Sequence, residues 1–194
     1  MSSLFSKIQS QAERAGVLPR TKESTNWFLR KIRGMTSVAP SKVLNDSLLE
    51  TRNKPLIGRM FMFLYDPKGK ETLPYYDRFP LILMVGPAKK GFYGLNLHYL
   101  PPRARAVFFD RLMEYTNNKK YDETTRFKLT YDMLSSTAKL RAFEACFKHY
   151  LFDHVDSKTV EVLPSEWEIA LFLPSDKFMN ATNSSIWQKT RKLV

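Results

Sequence analysis

The strictest alternation in the chain lies at 57–65, Ile57-Gly58-Arg59-Met60-Phe61-Met62-Phe63-Leu64-Tyr65. Phe61, Phe63 and Tyr65 fall on one face of a strand, and Met60, Met62 and Leu64 on the other. Asp66-Pro67-Lys68-Gly69-Lys70 has the chemistry of a turn. The aromatic link at 73–80 carries two prolines, which bar it from a central strand. The unbroken apolar run at 81–85 predicts a fully buried strand, and 92–100 predicts a third. Three strands joined by short loops predict an antiparallel meander that curls into a small barrel.

Helical spacing dominates elsewhere. Leu4, Phe5, Ile8 and Ala12 predict a short helix that ends at Ala15-Gly16. Ser24 or Thr25 can cap a second, with Trp27, Phe28 and Ile32 on one side. Arg30, Lys31 and Arg33 lie on or near its other side, and Gly34 ends it. Residues 36–41 read as a loop. Pro101-Pro102 opens a helix, since proline is preorganised for the first helical position. Val107, Phe108, Leu112 and Met113 form its apolar stripe, which Tyr115 extends. Residues 131–140 and 142–150 read as helical, 160–163 and 168–174 as strands. The tail reads as ending in a helix with Phe178, Ile186 and Trp187. The expected fold is α+β: a small curled antiparallel sheet or barrel flanked by helices, with an extended basic N-terminal arm. The expected division is an arm at 1–55, a core domain at 56–174 and a basic helical tail at 175–194.

Charge changes the picture more than length does. The 194 residues carry 31 Lys plus Arg against 19 Asp plus Glu, a formal net charge of +12. Residues 1–55 hold ten basic and four acidic side chains, so half the excess sits in about a quarter of the chain. Such a balance favours a polyanion, most simply nucleic acid, or an acidic neighbour in an assembly. The arm is poor in core residues and is expected to dock on the domain, on another subunit or on nucleic acid. With 43% apolar residues the chain is too apolar to be disordered. The single cysteine, Cys146, excludes a disulfide framework and a cysteine-cluster zinc site. It reads as a buried small apolar residue. No run approaches the roughly 20 apolar residues of a membrane span, and no signal peptide is expected.

Chemistry-bearing patterns are sparse. His98, His149 and His154 form no metal-binding pair and read as surface or hydrogen-bonded core histidines. The glycines are scattered, so no phosphate-cradling loop exists. Asp66, Glu71 and Asp77, with Lys68 and Lys70, form the sole candidate carboxylate cluster for a metal-dependent nuclease, and its spacing matches no signature. No catalytic, metal or cofactor residue is assigned. What remains is basic and aromatic. Tyr75, Tyr76, Phe79, Phe92 and Tyr93 can offer stacking rings or can simply build the core. Tyr75-Tyr76, beside Asp77-Arg78, is the least core-like part. The candidate binding residues are Arg30, Lys31, Arg33, Tyr75, Tyr76, Lys89, Lys90, Lys119, Lys120, Lys189, Arg191 and Lys192.

Several segments resemble a known family. They are 57–68, the run Leu73-Pro74-Tyr75-Tyr76-Asp77-Arg78-Phe79-Pro80-Leu81, and Gly91-Phe92-Tyr93-Gly94-Leu95-Asn96-Leu97-His98-Tyr99 with its continuation to Pro101. Cys146-Phe147-Lys148-His149-Tyr150-Leu151 and the stretch from Glu166-Trp167 to Phe172-Leu173-Pro174 share in it. They are similar to virion assembly proteins of contractile-tailed phages, cyanobacterial ones included, described as DNA end protectors. The resemblance runs from Arg20 onward and implies a non-enzymatic virion protein, assembled in the host cytoplasm, near the point where DNA leaves the head. There it would bind the genome end without sequence specificity and contact neck, tail or baseplate proteins. No membrane, cofactor or small-molecule substrate is implied. One alternative is a purely structural neck, tail or baseplate subunit whose arm docks on protein; the other is the nuclease. Replacing Arg30, Lys31 and Arg33 by glutamine is expected to weaken DNA binding or assembly while the domain stays folded. Unchanged DNA affinity together with normal particles contradicts this.

Overall fold

The computed structural model describes residues 3–53, 55–116, 132, 133, 136 and 143–191. A six-stranded antiparallel sheet organises them. Strands β2 (Met60–Met62), β4 (Leu81–Ala88), β5 (Gly91–Asn96) and β6 (Phe147–Leu151) form a meander. Strand β7 (Thr159–Val162) pairs with the other side of β2, and β1 (Thr51–Arg52) pairs with β7. A separate two-stranded ribbon joins β3 (Tyr76–Asp77) to β8 (Phe178–Met179). The alternation at 60–65 sorts as its pattern requires. Met60 and Met62 enter the larger core, while Phe61, Phe63 and Tyr65 enter a second cluster with Ile82, Met84, Phe92 and Tyr150.

The sheet does not close into the expected barrel. Among the described residues, its edges, β1 and β6, pair with β7 and β5 alone. Helices bury one face, so closure is not needed to shield it. These are α1 (Leu4–Arg14), α2 (Lys22–Ile32), α3 (Pro40–Leu44), α4 (Pro102–Thr116), α5 (Trp167–Phe172) and α6 (Asn183–Arg191). Helix α5 is the hub, packed against α1, α2 and α4 with all six residues buried. Its segment was expected as a strand. A run apolar but for Glu168 shows no clear period, and a short helix buried on all sides is apolar nearly all round.

Residues 142–150 differ in the same way: Phe147–Leu151 is the strand β6, whose partner β5 lies far off in sequence. Gly91 makes that pairing close, since a Cβ there would lie 1.9 Å from the Tyr150 carbonyl oxygen. Of the expected stripe on α4, Phe108, Leu112 and Met113 are buried, but Val107 is 58% exposed; Arg105, Ala106 and Phe109 are buried with them. The helices expected at 131–140 lie mostly outside the described residues. Among the described residues, no helix is long and apolar enough to cross a membrane.

The N-terminal segment docks on the domain, one of its three expected destinations. Phe5, Ile8, Phe28, Val43, Leu44 and Leu49 join the larger core. Thr21 caps α2, reciprocally with Ser24, rather than Ser24 or Thr25. The buried Glu168 carboxylate of α5 accepts from Ser24 Oγ, from Thr25 Oγ1 at 3.4 Å and from the Arg20 backbone N–H at 2.9 Å.

Arg105 ties the other elements. Its Nε donates to Leu100 O at 2.8 Å, Nη1 to Leu171 O at 3.0 Å and Nη2 to His98 O at 3.2 Å. Nη2 also pairs with Asp176. Removing one partner of a buried pair orphans the other. Arg105→Met is therefore expected to destabilise the protein by about 3–5 kcal/mol in urea unfolding. Val107→Gln is expected to stay within about 0.5 kcal/mol of the parent.

Candidate nucleic-acid interface

Two surfaces gather the basic and aromatic side chains. The first is a groove of about 890 Å³ between α2 and α4. Lys22, Asn26, Arg30 and Arg33 recur at helical spacing along α2 and its C-cap, and line one wall. Arg103, Ala106, Val107 and Asp110 of α4 line the other. Lys22, Arg30, Arg33 and Arg103 are exposed and face two carboxylates, Glu23 and Asp110. Among the described residues, none of these four cations is held in an ion pair. A row of exposed, unpaired cations on one side of a helix is suited to polyanionic phosphate.

The second surface is a pocket of about 290 Å³ on the strand side. Tyr65, Tyr75, Tyr76, Tyr99 and Tyr150 give it an aromatic lining, and Lys68 and Lys148 enter it. Lys148 lies opposite Gly94 on β6 and shares a sheet face with Tyr150. Its Nζ sits 4.5 Å from the centre of the Tyr99 ring. Burial lowers the Lys148 ammonium pKa below the ordinary lysine value. Burial also holds Tyr65, Tyr99 and Tyr150 above the usual phenol value, so these rings stay neutral. Lys189 of α6 places its Nζ 4.5 Å from the centre of Tyr75, at the pocket's rim.

Beneath the pocket lies a buried polar chain. Asp77 Oδ2 is 2.7 Å from His98 Nδ1 and accepts from Asn96 Nδ2 at 3.1 Å; Asp77 Oδ1 accepts from the Phe79 N–H at 3.0 Å. His98 Nε2 is 3.2 Å from Ser175 Oγ. The order carboxylate, imidazole, hydroxyl matches a hydrolytic triad. His98 and Ser175 are fully buried, however, and Asp77 is 4% exposed at the pocket wall, so the chain is a buried strut. Cys146 is buried too, and burial pushes its thiol up to about 12.

The structure sorts the expected residues. Arg30 and Arg33 share the groove, whereas Lys31 turns to the other flank of α2, over Trp27 at 5.8 Å. Tyr75, Tyr76 and Lys189 meet at the pocket. Lys89 and Lys90 form the exposed β4–β5 turn, lining neither surface, and Arg191 ends α6, exposed. Lys119, Lys120 and Lys192 lie outside the described residues. Phe79 and Phe92 are core, and Tyr93 stacks on Phe147 at 5.1 Å. Two of the three candidate carboxylates are engaged separately, Asp66 with Lys70 at 2.8 Å and Asp77 with His98, and Glu71 is exposed. Among the described residues, no group of three or more His, Cys, Asp or Glu could hold a metal ion.

Lys22, Arg103, Lys148 and Tyr99 were missed. Lys22 was readable, eight residues before Arg30 on one stripe. The others depend on which elements pack together.

A family model described as Phage T4 terminal DNA protecting protein matches residues 1–191. No curated protein and no solved structure matches.

The strut gives a pH signature. Burial alone would raise the Asp77 carboxyl, but attraction and hydrogen bonding to His98, with Asn96 and the Phe79 N–H, hold it below its ordinary value. That stabilisation is present above the unfolded carboxyl value of about 3.9 and is lost as pH falls through the lower folded value. Asp77→Asn is expected to be less stable at neutral pH and to lose stability less steeply below about pH 4. Equal acid slopes in the two proteins contradict this.

Proposed function

The chain belongs to the family of the phage T4 terminal DNA protecting protein, and we propose that it binds the ends of a linear phage genome and shields them from exonucleases. The observation that carries this reading is the match across nearly the whole chain. The groove between α2 and α4 supports it with a physical means. Lys22, Arg30, Arg33 and Arg103 are exposed cations at one concave surface, able to displace counterions from duplex phosphates. Contacts of that kind position a protein on DNA without reading its sequence. The protein acts as a cover, not as a catalyst. It works in the virion at the head–tail region, where a packaged terminus and the neck proteins meet.

Binding to an open linear duplex and to the same DNA as a closed circle, across a salt series, tests the reading. Tighter binding to the linear form, with protection from an added exonuclease, is expected. Replacing Arg30, Arg33 and Arg103 together by glutamine should flatten the dependence of log affinity on log salt by about 2 to 3, close to 0.9 per lost phosphate contact. Equal weak binding to both forms, gone at physiological salt, overturns end protection and leaves the charge to serve contacts with other virion proteins.

A further inference from the structure

Phosphate neutralisation does not distinguish an end from the interior of a duplex. Every step of the helix offers the same charges. A terminus differs in that its last base pair is stacked on one side and opens readily. A protein that prefers ends therefore needs a feature that takes something the interior withholds.

The tyrosine pocket has that character. Its volume of about 290 Å³ sits at the lower bound of small-ligand clefts, a space for one planar ring with its attached group rather than for a helix. The walls are aromatic: Tyr75 and Tyr76 are half-buried, and Tyr65, Tyr99 and Tyr150 are buried. The charge beside the rings is cationic. Lys148 is half-buried against the Tyr99 ring and, among the described residues, in no ion pair. Lys68 lines the mouth, and Lys189 covers Tyr75 at the rim. The one carboxylate in the lining, Asp77, is already held by His98 and Asn96, so it is not free to neutralise Lys148. Aromatic faces with a partly dehydrated ammonium beside them match a flat heteroaromatic ring linked to an anionic phosphate.

Resting on the end-binding reading above, we propose that this pocket captures one unpaired terminal nucleotide, its base against the tyrosines and its phosphate at Lys148. The last base pair opens, the base leaves the stack and enters the pocket, and Lys148 regains an anionic partner for its buried charge. No bond is made or broken. Capture is independent of base identity, because every base has a stacking face.

The test compares three duplexes of one sequence: fully paired with open ends, identical but with the terminal pair mismatched, and closed at both ends by hairpin loops. A mismatch removes the need to unpair. The intact full-length protein should prefer open ends to hairpin caps and bind the mismatched end more tightly still, by several-fold. Tyr76→Ala and Lys148→Met should each lose about tenfold on open ends and abolish the gain from the mismatch, while leaving affinity for the capped duplex unchanged. Lys148→Arg should restore most of the loss. Thermal unfolding checks that both variants fold; Lys148→Met removes a charge that no carboxylate needs. A preference for open or mismatched ends that survives both substitutions, or a mismatch with no effect on the parent protein, overturns the pocket alone. A parent protein that binds open and capped duplexes alike overturns end protection, and the pocket's role with it.

Discussion

Arg105 carries a permanent charge and is 2% exposed, so that charge must be met inside the protein. Its guanidinium reaches the carbonyls of Leu100 and His98 and, across the fold, that of Leu171 at the end of α5, as well as the Asp176 carboxylate. Two stretches remote in sequence, 98–105 and 171–176, are thereby set at fixed distances. The Trp187 ring of α6 lies 5.6 Å from the same guanidinium, and its Nε1 donates to His98 O at 2.9 Å. Thr190 Oγ1 donates to Tyr99 O at 2.9 Å. The C-terminal helix is thus held to the 97–99 turn by polar contacts as well as by Ile186 in the core.

The same constraint reaches the tyrosine pocket through His98. With its backbone carbonyl tied to Arg105 and Trp187, its ring meets Asp77 on one side and Ser175 on the other. Asp77 closes the ribbon between β3 and β8 by accepting from the backbone of Phe79 and of Lys177. That ribbon carries Tyr76, and the turn after β5 carries Tyr99. Two rings of the pocket are therefore placed by one buried polar chain, not by a flexible loop. Buried polar groups of this kind are costly unless each is satisfied, and here the chain is.

Local order was legible wherever a period existed. The two faces of 60–65 and the helix at Leu4–Arg14 follow from spacing alone. Where the pattern was uniform it was silent. Trp167–Phe172 is apolar but for Glu168 and shows no alternation, and its packing against α1, α2 and α4 makes it a helix. Phe147–Leu151 becomes a strand because β5 offers an open edge and Gly91 lets the backbones approach. On α4, the stripe read from spacing includes Val107, which is exposed, while Arg105 is buried because carbonyls and Asp176 meet its charge. The binding surfaces were half legible for the same reason. Arg30 and Arg33 announce a basic stripe on α2, but Arg103 faces them across a groove set by the packing of α2 and α4 on α5, which no local pattern encodes. Tyr75-Tyr76 announces an aromatic site, but Lys148, which gives it charge, arrives from a strand seventy residues later.

The groove and the pocket have different physical currencies, and an end-binder needs both. In the proposed mode of binding, cations along α2 and α4 would draw the protein to any duplex, with an affinity that salt erodes. That attraction is uniform along the molecule and leaves the protein free to slide. A pocket for one base acts differently. Unpairing and unstacking cost a few kcal/mol within a duplex, least where the base is already poorly held. Stacking on an aromatic side chain returns about 1–3 kcal/mol. In the interior, where a base is paired and stacked on both sides, the cost exceeds the return and the pocket stays empty. At a terminus the base is stacked on one side only, the cost falls, and the same return leaves a net gain. The preference for an end then comes from the DNA's own fraying, and the protein supplies only a charged, aromatic recess of fixed shape. On this account the rigidity conferred by Arg105 and the Asp77–His98 strut is functional: a recess that collapsed when empty would spend the stacking energy on its own reopening.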